Sequence, residues 1–152
     1  GQIIALDIFE WKLAELKRRA KRAGAHNIET RMISDTKVIK RLYDKADRLL
    51  IDAPCSGLGV LKRNPDSKWK IDEDFIARIC DEQQKIMQDY SKMLKVGGKM
   101  IYATCSILPS ENQNQVATFL EGNSNFKLVE DQKILPSSGY DGFYMALIER
   151  VS

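Results

Sequence analysis

Histidine is almost absent from this chain, its apolar runs are short, and no cysteine has a partner at close spacing; each shortage removes a class of protein from consideration. His26 is the only histidine and no Cys-x-x-Cys accompanies it, so the four ligands of a structural zinc site are poorly supplied and no metal is expected. Cys55, Cys80 and Cys105 are an odd number at wide spacing. That does not read as a disulfide framework and points to reduced, intracellular thiols. No apolar stretch approaches the roughly 20 residues a bilayer-spanning helix needs. Asp7 and Glu10 interrupt the N-terminal apolar stretch where a signal peptide would continue. Internal repeats, low-complexity tracts and interdomain linkers are also missing. A cytoplasmic protein with no membrane association is expected.

What remains suits one domain. The chain has 152 residues, 43% hydrophobic and 30% charged, enough apolar material for a core. A net charge of +3 does not by itself call for nucleic acid, but the charge is clustered. Lys12, Lys17, Arg18, Arg19, Lys21 and Arg22 crowd one segment, which reads as a solvated helix face. Lys62, Arg63, Lys68 and Lys70 crowd another, beside the motifs below, where phosphate contact and a plain solvated loop are both open.

Periodicity predicts strands over residues 2–6, 27–32, 46–53, 99–103, 126–129 and 143–149. Helices are predicted from Phe9 to Ala20, with Gly24 as the stop, over Thr36–Tyr43, over Asp72–Leu94 ended by Gly97-Gly98, and from Pro109 to about Leu120. Residues 57–69 read as a loop. Alternating strands and helices predict an α/β fold, a mostly parallel sheet with helices on both faces. In such folds ligands sit at the carboxyl ends of strands. Asp7, Asp35, Asp52, Cys55 and Cys105 all fall at or just past a predicted strand end.

Two segments concentrate chemistry. Asp52-Ala53-Pro54-Cys55-Ser56-Gly57 places a carboxylate, a rigid turn and a thiol at one strand end, and Ala103-Thr104-Cys105-Ser106 places a second thiol at the next. A lone strand-end cysteine is most often a small core residue, as Cys80 inside the long helix is read; two thiols, each followed by serine, weaken that reading. The pair resembles the RNA cytosine-5 methyltransferases of the Sun/Fmu type. Leu61-Lys-Arg-Asn-Pro-Asp, Trp69, Gly97-Gly-Lys-Met-Ile-Tyr, Pro109-Ser-Glu-Asn and Gly139-Tyr-Asp-Gly-Phe-Tyr-Met-Ala extend the resemblance over nearly the whole chain.

The resemblance implies a Rossmann-like class I methyltransferase fold and S-adenosyl-L-methionine as cofactor. It implies an RNA substrate, ribosomal RNA before transfer RNA. It makes Cys105 the nucleophile on carbon 6 of cytosine, Cys55 the residue that assists release, and Asp52 the acid facing the base and near the cofactor. Asp7 matches the residue on the cofactor's ribose and Asp35 the one near its adenine, although either could simply cap a helix. Lys62 and Arg63 are candidates for substrate phosphate. The family's first strand and glycine-rich loop have no counterpart here. Residues 1–152 therefore read as a single truncated catalytic domain, with weak or no cofactor binding expected of the chain alone. Two other readings stay open. One is a non-catalytic RNA-binding domain with this fold. The other is a DNA-type cytosine methyltransferase, which would attack with Cys55 and leave Cys105 unexplained.

Overall fold

Short apolar runs and helix-period stripes alternate along the chain, and a computed structural model shows most of them as the elements their periods predict. The structure describes residues 1–69 and 71–152; Lys70, counted above in the second basic cluster, lies outside the described residues. The chain divides into two units, Gly1–Leu42 and Tyr43–Ser152.

The first unit is a strand–helix–strand with a short trailing helix: β1 (Ile3–Asp7), α1 (Glu10–Arg22), β2 (Ile28–Met32) and α2 (Thr36–Lys40). β1 and β2 pair in parallel, from Ile3 opposite Ile28 to Asp7 opposite Met32. α1 buries Leu13 and partly covers Leu16 and Ala20; Phe9, which the spacing puts on that stripe, is the exposed N-cap instead. Gly24, at φ +67°, takes the left-handed conformation that ends a helix and disfavours other residues. The basic cluster of α1 is exposed, and Arg18 and Arg19 both pair with Glu15 one turn back, as a solvated face would. α2 is shorter than the predicted 36–43.

The second unit holds β3 (Ala46–Asp52), α3 (Glu73–Tyr90), β4 (Leu94–Thr104), α4 (Gln113–Glu121), β5 (Phe126–Ile134) and β6 (Phe143–Arg150). Its strands lie in the order β3-β4-β6-β5. β3 and β4 are parallel, while β6 runs antiparallel to both β4 and β5. The sheet is thus mixed where the alternation suggests mostly parallel strands. β5 reaches Ile134, well past the predicted Val129, and only residues 135–142 separate it from β6, too few for a crossover helix, so the two must pair antiparallel. Met100, Tyr102, Ala146 and Ile148 point to one face, where α3 and α4 cover them with Met87 and Phe119. On the other face Leu50 and Ile101 are exposed.

Two further stretches depart from the predicted boundaries. α3 ends at Tyr90, a 3-10 turn takes Ser91–Met93, and Leu94 already belongs to β4. Gly97-Gly98 therefore ends no helix. It lies where the register with β3 slips between Ala46 and Arg48, and Gly97 at φ +77° supplies the bulge. Pro109–Glu111 forms a 3-10 turn and α4 starts only at Gln113, because Asn112 at φ −113°, ψ −110° breaks the helical path. Among the described residues no helix is long and apolar enough to cross a membrane.

Candidate active site

β3 and β4 end side by side, with Asp52 opposite Ala103 and the Ala53 amide donating to the Ala103 carbonyl at 2.9 Å. The segments that leave them are therefore neighbours. Cys55 Sγ and Cys105 Sγ lie 3.2 Å apart, both half-buried. One sulfur then carries a proton aimed at the other. The hydrogen bond from Cys55 stabilises a Cys105 thiolate and pulls its pKa down to about 7 from the usual 9.0. Partial burial and the negative charges of Asp52 and Glu111 oppose that shift. Cys55 is held protonated, well above the ordinary thiol range, by its bond to Cys105, by burial and by the Cys105 charge. The proton left on the pair is shared.

Asp52 is exposed at the end of β3, its charge felt at Cys105. Asp7 and Asp35 sit at the ends of β1 and β2, and both serve local structure. Asp7 accepts from the Phe9 amide at 2.8 Å and lies 3.7 Å from Lys12 Nζ. Asp35 caps α2 through the Lys37 amide at 2.7 Å. A carboxylate has about four acceptor sites, so each keeps capacity for the hydroxyl or amino groups of a nucleoside. Lys62 is exposed with no ion-pair partner among the described residues. Arg63 instead pairs with Asp141 at 2.5 Å, which neutralises part of the charge that a phosphate would meet. Cys80 donates to the Ser110 carbonyl at 3.4 Å, and burial pushes its thiol up.

The motifs name the residues beneath the thiols, Ser56, Ser106, Glu111 and Asn112, but assign them no role. Glu111, at the end of the Pro109 turn, is fully buried. Its Oε1 accepts from Ser56 Oγ and Ser106 Oγ, both at 2.5 Å; its Oε2 accepts from the Ser56 amide at 2.8 Å and Gln83 Nε2 at 3.1 Å. Asn112 accepts from Thr104 Oγ1 at 2.6 Å and donates to the Ser106 carbonyl at 3.0 Å. Two signals were available: the repeated Cys-Ser pair, and Gln83, a polar residue in the middle of the apolar stripe of α3. The wall beside the thiols rests on two glycines. Gly59 donates to the Cys105 carbonyl at 2.9 Å and accepts from the Gly142 amide at 2.7 Å. A Cβ on Gly59 would overlap the Gly142 carbonyl.

Known proteins resemble this chain along nearly its whole length. Residues 1–149 match the family described as 16S rRNA methyltransferase RsmB/F. Ribosomal RNA small subunit methyltransferase B of Yersinia enterocolitica is 40% identical over 97% of this chain and 37% of that protein. The protein of the same name from Photorhabdus laumondii is 36% identical over 99% and 37%. The chain thus spans about 37% of the length of these curated relatives. Among solved structures, NSun6 from Pyrococcus horikoshii with SFG superposes with a TM-score of 0.87 at 27% identity, covering 100% of this chain and 42% of that one. A methyltransferase homolog protein from the same organism gives 0.83 at 24% identity over 99% and 54%, a likeness of fold. The fold is that of the class I S-adenosylmethionine-dependent methyltransferases, and the chain belongs to the 16S rRNA methyltransferase RsmB/F family.

Proposed function

We propose that residues 1–152 belong to one catalytic domain that methylates carbon 5 of a cytosine in RNA through a covalent adduct on Cys105. The observation that carries this reading is the 3.2 Å contact between two thiols at the ends of adjacent parallel strands. Bacterial ribosomal RNA is the first expected substrate, transfer RNA the second, and the cytoplasm the expected location. Asp7 and Asp35 would hold the nucleoside of S-adenosylmethionine, with Asp52 near both cofactor and base. Lys62, with Arg63 beside it, would meet phosphate.

Carbon 5 of cytosine is a weak nucleophile. The Cys105 thiolate, favoured near neutral pH by the Cys55 S–H, adds to carbon 6. The electron pair of the 5,6 double bond moves toward carbon 5 and the ring; Asp52, protonated from solvent as the base binds, lends that proton to nitrogen 3 and takes it back when the adduct breaks down. S-adenosylmethionine, when bound, supplies the electrophilic methyl that carbon 5 takes up. Cys105 is by then a neutral thioether, so the bond and the charge that hold the proton on Cys55 are gone. Cys55 can release that proton to solvent and take the one on carbon 5. The electrons of that C–H bond rebuild the double bond, the Sγ–C6 bond breaks, and the Cys105 thiolate returns with a protonated Cys55 beside it.

Single substitutions in the full-length enzyme test the assignment on a denaturing gel with labelled RNA. Cys105→Ala should abolish both methylation and the covalent RNA complex. Cys55→Ala should transfer the methyl and then fail to release, so protein migrates with RNA attached. Swapped phenotypes would give the attack to Cys55, as in the DNA-type reading. Unchanged turnover in both would sink the mechanism.

A further inference from the structure

We propose that Glu111 is a positioning residue: its buried carboxylate clamps Ser56 to Ser106 and so sets the distance between Cys55 and Cys105. The proposal deepens the function argued above and rests on that reading for its purpose, though not for its test.

Successive side chains of an extended segment point to opposite sides. In both Cys-Ser pairs the half-buried thiol faces the site and the buried hydroxyl faces the core. The two dipeptides come from strands 50 residues apart, and they lie side by side twice over. The sulfurs are 3.2 Å apart on one side and the hydroxyl oxygens 3.2 Å apart on the other. What joins them on the inner side is one oxygen, Glu111 Oε1, which both hydroxyls reach. Each hydroxyl has a single proton. The Leu58 amide points to Ser56 Oγ and the Leu108 amide to Ser106 Oγ, at 3.3 and 3.1 Å. Each hydroxyl therefore accepts from a backbone amide and donates to Glu111, and the direct serine–serine contact is a consequence of their common acceptor.

The other carboxylate oxygen is held as firmly. It faces the Ser56 amide and Gln83 Nε2, both donors. Gln83 uses its second amide hydrogen on the Pro54 carbonyl at 2.9 Å and its own buried Oε1 has no partner among the described residues, which proteins avoid unless something else requires it. Here the requirement is two donors, one to the carboxylate and one to the turn that carries Cys55. No lysine or arginine pairs with Glu111 among the described residues. Its charge is met by aimed hydrogen bonds alone, which hold orientation more narrowly than a mobile counter-ion would.

The clamp and the charge act on Cys105 in opposite directions, which makes the role testable. The negative charges facing Cys105 are Asp52 and Glu111, and the other titratable group against it is Cys55; Cys80 and Tyr102 lie near Glu111. Charge alone disfavours the thiolate, so replacing Glu111 by a neutral residue would ease ionisation. Loss of the clamp removes the Cys55 donor and makes ionisation harder. Glu111→Gln places an NH₂ either against two N–H donors or against two hydroxyls whose protons then lose their common acceptor, so it cannot satisfy the cage in full.

Site-resolved alkylation of Cys105 by iodoacetamide across pH, read by peptide mass spectrometry on the full chain, separates the two. Glu111→Gln should move the half-ionisation point of Cys105 upward by about one unit and so slow its alkylation at neutral pH by about fivefold. Unchanged or faster alkylation in a variant that still unfolds cooperatively would overturn the proposal. If Glu111→Gln does not fold, Ser106→Ala removes one arm of the clamp with Glu111 in place; at least a severalfold slowing is expected, and none would overturn the proposal equally. The assay contains no RNA. Failure of the Cys105→Ala methylation test would sink the proposed function and leave the clamp standing, and an unaltered alkylation profile would do the reverse.

Discussion

Removing the sulfur of Cys55 takes from Cys105 the largest influence favouring its thiolate. In Cys55→Ala the Cys105 pKa should therefore climb from about 7 toward the ordinary 9.0, and its alkylation at neutral pH should slow by about tenfold or more. The same coupling makes folding pH-dependent. Cys105 ionises more readily in the folded chain than in the unfolded one, so the unfolded chain binds more protons between about pH 7 and 9. Stability should climb with pH through that window and be lost as pH falls through about 7. Cys55 is shifted the other way, so above the ordinary thiol range its unfolded form ionises first and the gain should reverse. Urea midpoints of the wild type at about pH 7, 9 and 10 should peak at the middle value. A monotonic series would separate the two thiols.

Among the elements, the loops after β3 and β4 are locked by backbone contacts that leave no space for a methyl group. Gly59→Ala would press its Cβ into the Gly142 carbonyl and within 2.7 Å of the Cys105 carbonyl, both backbone atoms that cannot swing aside. A loss of about 1–3 kcal/mol is expected from overpacking, together with slower Cys105 alkylation. Asp72→Ala is the comparison. It removes the side-chain cap of α3, where Asp72 Oδ1 accepts from the Phe75 amide at 2.7 Å. That costs about 1 kcal/mol and leaves the thiols in register. Equal alkylation profiles in the two variants would show that the glycine contact does not hold the site. At this scale the sequence was readable wherever one period ran uninterrupted, as in α1 and in most of α3. It misled where one residue type serves two purposes. Gly97-Gly98 reads as a helix stop from either side, yet the strand register turned it into a bulge. Pro109 opens a turn whose next residues are occupied by the buried network, so the helix starts later.

For the chain as a whole, a net charge of +3 gives a weak general field, so if RNA is bound as proposed the local cations would carry the salt dependence. Lys62→Ala should lower the slope of log affinity against log salt by about 0.7–0.9, one phosphate contact, in binding assays with the full chain and an RNA oligonucleotide. Arg63→Ala should lower it less, because Asp141 already neutralises that guanidinium in part. An equal effect of the two would mean that the ion pair opens when RNA binds. The sequence by itself determined the α/β class, the strand ends at which Asp52, Cys55 and Cys105 stand, and the family, because periodicity and adjacent residues in a motif are local properties of a chain. Only the tertiary structure decided that the sheet is mixed, that Arg63 is paired, and that Glu111 sits beneath two thiols 50 residues apart. Those outcomes depend on which strands become neighbours and on how many donors a buried carboxylate needs, and both are settled only when distant segments meet.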